Sequence, residues 1–496
     1  MRIAIMCMKL GAAAIGGLLL AMPSPAAPAD EPAPRAFVTR HRGVFNGVEL
    51  AYTATVGEFV QRDAEGKAIA RLFATSYLRE GVEDRDSRPV LFLWNGGPGA
   101  ASLWLHVGAF GPRRAELPQD PDAGIAPPYR LVPNGHSLLD VADLVFVDPV
   151  GTGFSRLEDE SKLKDIYTPT GDAKSVAELI RAWVRAHGRE RSPRFALGES
   201  YGTIRAVLVA DELKQDLPLD GIYLFGQGIN LVETTQRAGN IVGYATNLPA
   251  LAAIAWYHGR AHPHYRDVSR LIEEAWSFGM KDYLSALAKG DALTARERRR
   301  IARRLEEMTG LGAQYYLDNG LVITKQRFRG EILKDRGQVV GFYDGRYTAP
   351  AAAAGEPMPD PSMKIREPFV ALAREQFAGA LAVTLGDEYR PGDPAASQFD
   401  WGVPAHPFSD YDYAGTLSRL MQSQSCLRLA IGTGIYDTTT TVGPARYLVA
   451  RSALPRERVV LFQYEGGHMA YSNEAALAAM ARDVRAWLGG PSCPRP

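Results

Sequence analysis

Cysteine is scarce in this sequence, which has three cysteines among 496 residues, and neither sign of charge is in excess. Lys and Arg together number 56, as do Asp and Glu, so the formal net charge is zero. Because nucleic acids and anionic membrane surfaces attract proteins through excess positive charge, this balance argues against both as partners. Apolar residues make up 46% and charged residues 23% of the chain, which is typical of a folded protein with a sizeable core.

Long apolar runs are absent from the rest of the chain after the N-terminal segment. No stretch there reaches the roughly 18 apolar residues that a membrane span needs. At the N-terminus, Arg2 and Lys9 precede the apolar run 10–22, and small residues and prolines follow it. This order predicts a secretory signal peptide over residues 1–29, with an AxA-like cleavage point at Ala29. The alternative is a buried helix or a membrane anchor. The signal predicts an exported protein, periplasmic or secreted, without stable membrane insertion after cleavage.

The sequence has few residue patterns that could bind a metal or form a disulfide. Cleavage of the signal removes Cys7 and leaves Cys426 and Cys493, which form an even pair able to make one disulfide in an oxidising compartment. Three histidines lie close together within residues 258–264, but no cysteine or carboxylate accompanies them at ligand spacing. The sequence therefore predicts no metal site.

Short apolar runs that end in loop-forming or glycine-rich sequence recur along the chain, and such runs are typical of buried parallel strands. Two longer stretches, 48–55 and 69–78, come first and fit a hairpin. The predicted strands after them are 89–94, 143–147, 194–197, 221–225, 427–431 and 458–464. Helical spacing at 170–187, 201–213 and 474–488 alternates with these strands. The alternation predicts a mostly parallel, doubly wound α/β sheet.

After the predicted strand 221–225, short strand-like runs give way to stretches with helical spacing, such as 268–287 and 295–308. We interpret this region as a largely helical cap inserted into the core. The charged run within it mixes acidic and apolar residues at helical spacing, so it indicates a solvated helix face and not a nucleic-acid site. The predicted parts are a signal peptide 1–29, a first core part 30–230, a cap 231–410 and a second core part 411–496.

The strongest chemical signal is the segment Gly198-Glu-Ser200-Tyr-Gly202, which follows a predicted strand and precedes a helix. This is the context of a nucleophile elbow, whose glycines let the backbone turn sharply and expose the serine hydroxyl. A serine hydroxyl needs a base, and Asp437 and His468 follow later strands in the order that the α/β-hydrolase fold uses. The sequence predicts that fold, with Ser200 as nucleophile, Asp437 as orienting acid and His468 as general base.

A second glycine-rich segment, from Trp94 to Gly99, also follows a predicted strand. Backbone amides in such a turn are suited to stabilising negative charge in a transition state. We expect the amides of Gly97 and Tyr201 to form the oxyanion hole. The alternative is a plain glycine-rich turn.

Five ordered segments of this chain together resemble the serine carboxypeptidase family: 94–99, 147–155, 198–202, Asp437 and 467–468. The resemblance implies release of a C-terminal amino acid from a peptide substrate through an acyl-enzyme on Ser200, with no cofactor. It also implies that Asn95, the amide of Gly96 and a protonated Glu199 hold the substrate carboxylate. The need for a protonated acid explains why such enzymes favour acidic conditions.

Two positions depart from the family pattern. Ala109 stands where an ungapped alignment puts the second carboxylate-binding acid, and Ala100 replaces the usual cysteine, which predicts a bacterial-type branch. The missing acid weakens the carboxylate clamp, and Arg113 or Arg114 is a candidate cationic replacement. Because one fold hosts many activities, an esterase or an acyltransferase on the same triad is the leading alternative, and a non-catalytic binding protein is another.

Overall fold

The structure is a computed structural model that describes residues 33–237, 239–386, 388–401 and 412–491. Apart from the gaps between these ranges, residues 35–491 form one compact unit. The predicted signal peptide and Cys493 lie outside the described residues, whereas Cys426 takes part in a disulfide. In the described part of the chain, no helix combines the length and apolar character needed to cross a membrane.

A ten-stranded mixed sheet forms the centre of the unit. The strands in chain order are β1 (Ala36–Phe45), β2 (Val48–Arg62), β3 (Ala68–Arg79), β4 (Val90–Trp94), β5 (Arg113–Ala115), β6 (Leu131–Pro133), β7 (Asp143–Asp148), β8 (Arg156–Leu157), β9 (Arg194–Glu199), β10 (Gly221–Phe225), β11 (Gln338–Val340), β12 (Thr348–Pro350), β13 (Arg428–Gly434) and β14 (Val459–Tyr464). Their order across the large sheet is β1-β2-β3-β7-β4-β9-β10-β13-β14, and β8 pairs with β3. Neighbours from β7 to β14 are parallel, which confirms the predicted sheet.

Helices surround this sheet and fill the long connection between β10 and β13. The α-helices are α1 (Leu103–Leu105), α2 (Leu163–Ile166), α3 (Pro169–His187), α4 (Tyr201–Leu213), α5 (Leu231–Thr234), α6 (Ile241–Tyr257), α7 (Val268–Phe278), α8 (Leu284–Lys289), α9 (Ala295–Thr309), α10 (Ala313–Asp318), α11 (Lys325–Glu331), α12 (Arg366–Ala378), α13 (Tyr413–Ser423), α14 (Val442–Arg451) and α15 (Glu474–Leu488). Five-residue π turns cover 106–110 and 279–283.

Alternating side chains of the buried strands pack into two apolar layers. In β4, Leu91 and Leu93 belong to the layer that includes α15, whereas Phe92 and Trp94 belong to the layer that includes α3 and α4. Both layers are closed to solvent, so the sheet is covered on its two faces as parallel sheets are. This packing holds the carboxyl ends of β4, β9, β13 and β14 at one edge, where the predicted site residues follow.

The long connection after β10 has an apolar cluster of its own, built largely from α6 to α11. In α9, the buried residues Ile301, Leu305 and Met308 lie on one face of the charged run, which confirms the predicted solvated helix. Tyr436, just after β13, also belongs to this cluster. The inserted helices are therefore packed against the segment that carries the predicted catalytic acid.

Several element boundaries differ from the sequence predictions. The strand β1 was not predicted, because it lies at the edge of the sheet and its residues alternate between exposed and half-buried. The predicted helix 268–287 is interrupted by a π turn that begins at Gly279. A Cβ on Gly279 would lie 2.8 Å from Ala245 O, so the turn lets this stretch approach the α6 backbone closely.

Candidate active site

Ser200 stands between the end of β9 and the start of α4, with backbone angles φ 60° and ψ −129°. A positive φ is unfavourable for serine, and the surrounding glycines make the tight turn possible. A Cβ on Gly198 would lie 2.0 Å from Gly202 O, and one on Gly202 would lie 2.8 Å from Asn95 O. The backbone thus has the sharp strand-to-helix turn expected of a nucleophile elbow.

Asp437 and His468 form a buried hydrogen-bonded pair beyond the ends of β13 and β14. His468 Nδ1 donates to Asp437 Oδ2 at 2.7 Å, and both side chains are less than 5% exposed. The hydroxyl and amide of Thr439 donate to Asp437 Oδ1, each at 2.6 Å, and the hydroxyl of Thr440 donates to Oδ2 at 2.7 Å. With Nδ1 committed to Asp437, Nε2 is the ring nitrogen that can accept a proton.

The electrostatics of the pair favour its charged forms. Burial opposes charge on Asp437, but the neighbouring His468 and three donors hold the pKa of its carboxyl below the usual value. Burial likewise opposes a charge on His468, but Asp437 and Glu199 raise the pKa of its imidazole above 6.5. A base with a raised pKa binds a proton more firmly, which is what an imidazole must do as it takes one from a hydroxyl.

The inserted region anchors the loop that carries His468. The His468 amide donates to Tyr343 O at 2.6 Å, and the Gly467 amide donates to Asp344 Oδ2 at 3.0 Å. Asp344 is itself fixed by a buried ion pair with Arg346 at 2.7 Å. Lys325, at the start of α11, donates to the carbonyls of Thr234 and Thr439 at 2.7 and 2.8 Å. Backbone on both sides of the pair is thus held by side chains from the connection.

The glycine-rich segment after β4 lies directly against the nucleophile turn. A Cβ on Gly96 would lie 2.6 Å from both Glu199 O and Tyr201 N, so only glycine fits there. Gly97 has φ 105°, a value suited to glycine. Arg205 Nη1 donates to Asn95 O at 2.6 Å, and Arg205 Nε pairs with Asp172 at 2.8 Å. These contacts set the predicted oxyanion segment at a fixed distance from the start of α4.

Glu199 is a buried carboxyl that directly precedes Ser200 in the chain. Burial raises the pKa of Glu199 to about 7, although the proximity of His468 and hydrogen bonds from Tyr471 and Asn95 act in the opposite direction. The Tyr471 hydroxyl donates to Glu199 Oε2 at 2.8 Å. Asn95 Oδ1 accepts from the amide of Leu105 at 3.1 Å, which orients the Asn95 side chain. Glu199 is therefore able to keep its proton in mildly acidic solution.

These groups surround one cavity of about 240 Å³. Its lining residues are Asn95, Gly96, Gly97, Ala100, Trp104, Glu199, Ser200, Tyr343, Met363, Arg366, Pro391, Gly392, His468 and Met469. Asp437 lies behind His468, and the Tyr201 side chain points away to donate to Asp172 at 2.8 Å. A larger hollow of about 430 Å³, between α5, α13 and α14, contains none of the predicted site residues. We place the site by its chemistry, in the smaller cavity.

The departures from the family pattern also have defined positions. Ala109 is fully buried in the π turn at 106–110, and Ala100 lines the cavity. Arg113 donates to Leu131 O at 2.9 Å, and Arg114 pairs with Glu474. Neither arginine is among the residues that line the cavity, so the structure does not support them as replacements for the missing acid.

Sequence reasoning missed several residues of the site. Tyr471, Lys325 and Arg366 lie in ordinary helical or loop sequence, and no motif marks them. Tyr471 follows His468 by three residues, so its proximity to the base was the one available signal. Lys325 and Arg366 come from the inserted region, whose approach to the sheet depends on tertiary packing.

Residues 70–233 match the sequence profile of a family described as serine carboxypeptidase. Curated relatives include Serine carboxypeptidase-like 16 of Arabidopsis thaliana, 32% identical over 28% of this chain and 34% of that protein. Serine carboxypeptidase-like 13 of the same plant is 31% identical over 32% of this chain and 37% of that protein. The chain thus matches about a third of the length of each of these relatives. They are plant proteins and do not support the predicted bacterial-type branch.

Solved structures extend the likeness to the whole unit. Kex1Δp, a prohormone-processing carboxypeptidase from Saccharomyces cerevisiae, has a TM-score of 0.55 to this chain, covering 88% of this chain and 91% of that one. The two sequences are 13% identical, so the match concerns the fold. It confirms the predicted α/β-hydrolase fold.

Proposed function

We propose, from its relationship to the serine carboxypeptidase family, that this chain is a serine-type carboxypeptidase that removes C-terminal amino acids from peptides. The proposal rests on one observation, the buried carboxyl of Glu199 beside Ser200. Burial raises the pKa of this carboxyl to about 7. A carboxyl that keeps its proton can donate a hydrogen bond to a carboxylate, and the C-terminus of a peptide supplies one. An enzyme for uncharged esters has no use for such a group.

The proposed reaction has two halves. The Ser200 hydroxyl oxygen attacks the carbonyl carbon of the last peptide bond, and His468 Nε2 takes the hydroxyl proton. The C–N bond then breaks, the amine receives that proton, and the free amino acid leaves an ester on Ser200. Water attacks this ester, His468 takes a proton from the water, and the proton passes to Ser200 as the ester breaks. Asp437 stays ionised and stabilises the imidazolium in both halves.

The remaining residues are proposed to bind and stabilise. The amides of Gly97 and Tyr201 receive the negative charge that develops on the carbonyl oxygen. Asn95, the Gly96 amide and Glu199 hold the terminal carboxylate of the peptide. The close approach of Gly96 to the backbone around Ser200 supports this arrangement, because it puts both binding elements beside the nucleophile.

An exported enzyme is part of the same proposal. The signal peptide predicted over residues 1–29 would direct it to the periplasm or the medium, where peptides are the substrates. N-terminal sequencing of the mature protein tests this point, since cleavage near Ala29 is expected and an intact N-terminus would contradict export.

Release of free amino acid from paired peptides tests the activity. One peptide has a free C-terminus and its partner is amidated, and both are assayed from about pH 5 to pH 8. We expect the free form to be cleaved and the amide to be cleaved far more slowly. The Ser200→Ala variant, which keeps the cavity but lacks the nucleophile, is expected to lose on the order of 10⁴–10⁶ in kcat. Equal cleavage of both peptides, or undiminished turnover by the variant, would contradict the proposal.

A second candidate is an esterase or acyltransferase on the same residues. Ala109 favours it, because this buried alanine supplies no second acid for a substrate carboxylate. It predicts rapid hydrolysis of short acyl esters with no preference for a free carboxylate. Ester hydrolysis without release of amino acid from either peptide would favour this candidate over the carboxypeptidase.

A further inference from the structure

Arg366 introduces a permanent positive charge into the cavity that holds Ser200 and His468. It is the first residue of α12 and comes from the inserted region. Its side chain is exposed, and within the described ranges of the chain its guanidinium has no hydrogen bond or ion pair. Glu199, the carboxyl that lines the same cavity, accepts a hydrogen bond from Tyr471.

The charge of Arg366 is that of its own guanidinium and does not depend on the end of a helix. Residues 361–365 form a 3₁₀ helix capped by Asp360, and this helix continues directly into α12. A negatively charged ligand in the cavity would be attracted by the guanidinium.

The packing of α12 relates the helix that carries Arg366 to the segment in which the second acid is missing. Phe369, one turn along α12, has its ring 5.1 Å from the ring of Trp104, which lines the cavity. A Cβ on Gly108 would lie 2.7 Å from the Phe369 ring. The first turn of α12 thus covers the segment that contains Ala109.

We propose that Arg366 binds a carboxylate of the substrate in this cavity, either the terminal carboxylate or that of an acidic side chain. The inference rests on the proposed function for the identity of the substrate as a peptide. A planar guanidinium offers two parallel donors that match a carboxylate. Since arginine stays charged across the working pH range, it supplies attraction that a protonated acid supplies only in acid.

Equilibrium binding of short peptides to the full chain in a Ser200→Ala background tests this, because binding is measured without turnover. The ligands are N-acetylphenylalanyl-leucine, its amide, and two amides that carry one glutamate on either side of the scissile bond. Arg366→Gln is compared with Arg366→Lys and with Arg374→Gln. Arg374 lies on the same helix but pairs with Glu388 at the surface, so it is the matched control.

We expect Arg366→Gln to raise Kd for one class of carboxylate ligand about tenfold to a hundredfold, as for a lost hydrogen bond to a charged group. Kd for the neutral amide is expected to stay within about twofold, Arg366→Lys to recover part of the affinity, and Arg374→Gln to change nothing. The weakened ligand identifies the terminal or the side-chain carboxylate as the source. Unchanged affinity for every carboxylate ligand, or equal weakening of the amide, overturns the proposal.

Failure of the proposed function gives a different result. If the chain with Ser200 intact cleaves no peptide, the carboxypeptidase proposal fails while the selective effect of Arg366→Gln on carboxylate binding still stands. If peptides are cleaved but Arg366→Gln binds them normally, the role of Arg366 fails alone.

Discussion

The phenol of Tyr471 donates a hydrogen bond at 2.8 Å to Oε2 of Glu199, a residue that lines the same cavity as Ser200. Both residues are buried, and burial raises the pKa of both groups. Because Tyr471 donates to one carboxyl oxygen, the proton of neutral Glu199 is carried by the other oxygen, Oε1. Under the proposed function, the ionisation of this one carboxyl would control substrate binding.

Peptide binding is expected to weaken as the pH rises through about 7, the pKa to which burial raises Glu199. Ionised Glu199 repels a substrate carboxylate, so KM for a free C-terminal peptide is expected to rise up to about tenfold per pH unit above that point. Glu199→Gln, which stays uncharged, is expected to remove this slope. Measurement of KM from about pH 5 to pH 8 checks it, and the same slope in the variant would contradict the role.

Ionisation of Glu199 is also expected to lower the free energy of unfolding. Because the folded pKa of Glu199 lies above its unfolded value of 4.5, the folded state binds more protons between pH 4.5 and about 7. The contribution is complete below pH 4.5 and is lost as the pH rises through about 7. Chemical denaturation at several pH values is expected to show a free energy of unfolding that falls less steeply with pH in Glu199→Gln than in the parent, because buried Asp148, whose pKa burial raises to about 6, still contributes in the variant.

Asp437→Asn is expected to lower kcat by about 10⁴-fold, because an amide no longer fixes the tautomer of His468 or stabilises its cation. The pKa of His468 is expected to fall, since Asp437 raises it. The rate of Ser200 labelling by a fluorophosphonate is expected to fall in parallel with turnover. Asp318→Asn, at an exposed position, is the control, and an Asp437→Asn variant with comparable activity would exclude the assigned pair.

Lys325→Met is expected to move the acid limb of kcat/KM to higher pH, on the order of half a pH unit. The positive charge of Lys325 lowers the pKa of His468, so its removal lets the imidazole stay protonated to higher pH. Two carbonyls lose their donor, which is expected to lower the free energy of unfolding by about 1–3 kcal/mol. Exposed Lys334→Met is the comparison, and a stability loss without a shifted pH profile would assign Lys325 a structural role alone.

Arg205→Met is expected to destabilise the protein by about 3–5 kcal/mol, because it leaves the buried charge of Asp172 without its partner. The double variant Arg205→Met, Asp172→Asn is expected to recover part of this loss. Arg181→Met, which breaks the more exposed pair with Asp216, is expected to cost about 0–1 kcal/mol. Denaturant unfolding measures all three, and additive losses in the double variant would show that the two side chains act independently.

Gly96→Ala is expected to reduce kcat about 10²–10³-fold, as when one oxyanion donor is lost. The new Cβ would lie 2.6 Å from Tyr201 N and from Glu199 O, so the two backbone segments must move apart. Gly124→Ala is the matched control, because a Cβ there meets nothing within 4 Å. Retained turnover in Gly96→Ala would mean that the spacing of these segments does not matter to catalysis.

The sequence predicted the sheet, and it placed the three proposed catalytic residues after strands of that sheet, because both depend on local patterns. Ser200, Asp437 and His468 each follow a buried run, and parallel strands end at one edge, so three separate loops are brought together. The bounds of α4 and α15 agree with prediction, since their apolar spacing is regular and each starts beside a motif or a capping residue.

The contribution of the inserted region could not be predicted in the same way. Lys325 and Arg366 lie on or beside amphipathic helices, and periodicity tells which face is buried but not what it is buried against. The π turn that begins at Gly279 depends on a close approach to the α6 backbone at Ala245, which is distant in the sequence. The sequence showed, at Ala109, that the second carboxylate-binding acid is absent. Only the structure showed that Arg366 lines the cavity.

The chain order of the site has a consequence for synthesis. Ser200 and the glycine segment are translated first. The carbonyl of Tyr343, which anchors the His468 amide, follows within the inserted region, and His468 itself comes only after that region. A growing chain that has already folded β4 and β9 has a serine turn but no base to activate it. On the proposed mechanism, activity therefore begins only when β14 has joined the sheet and has brought His468 to the serine turn.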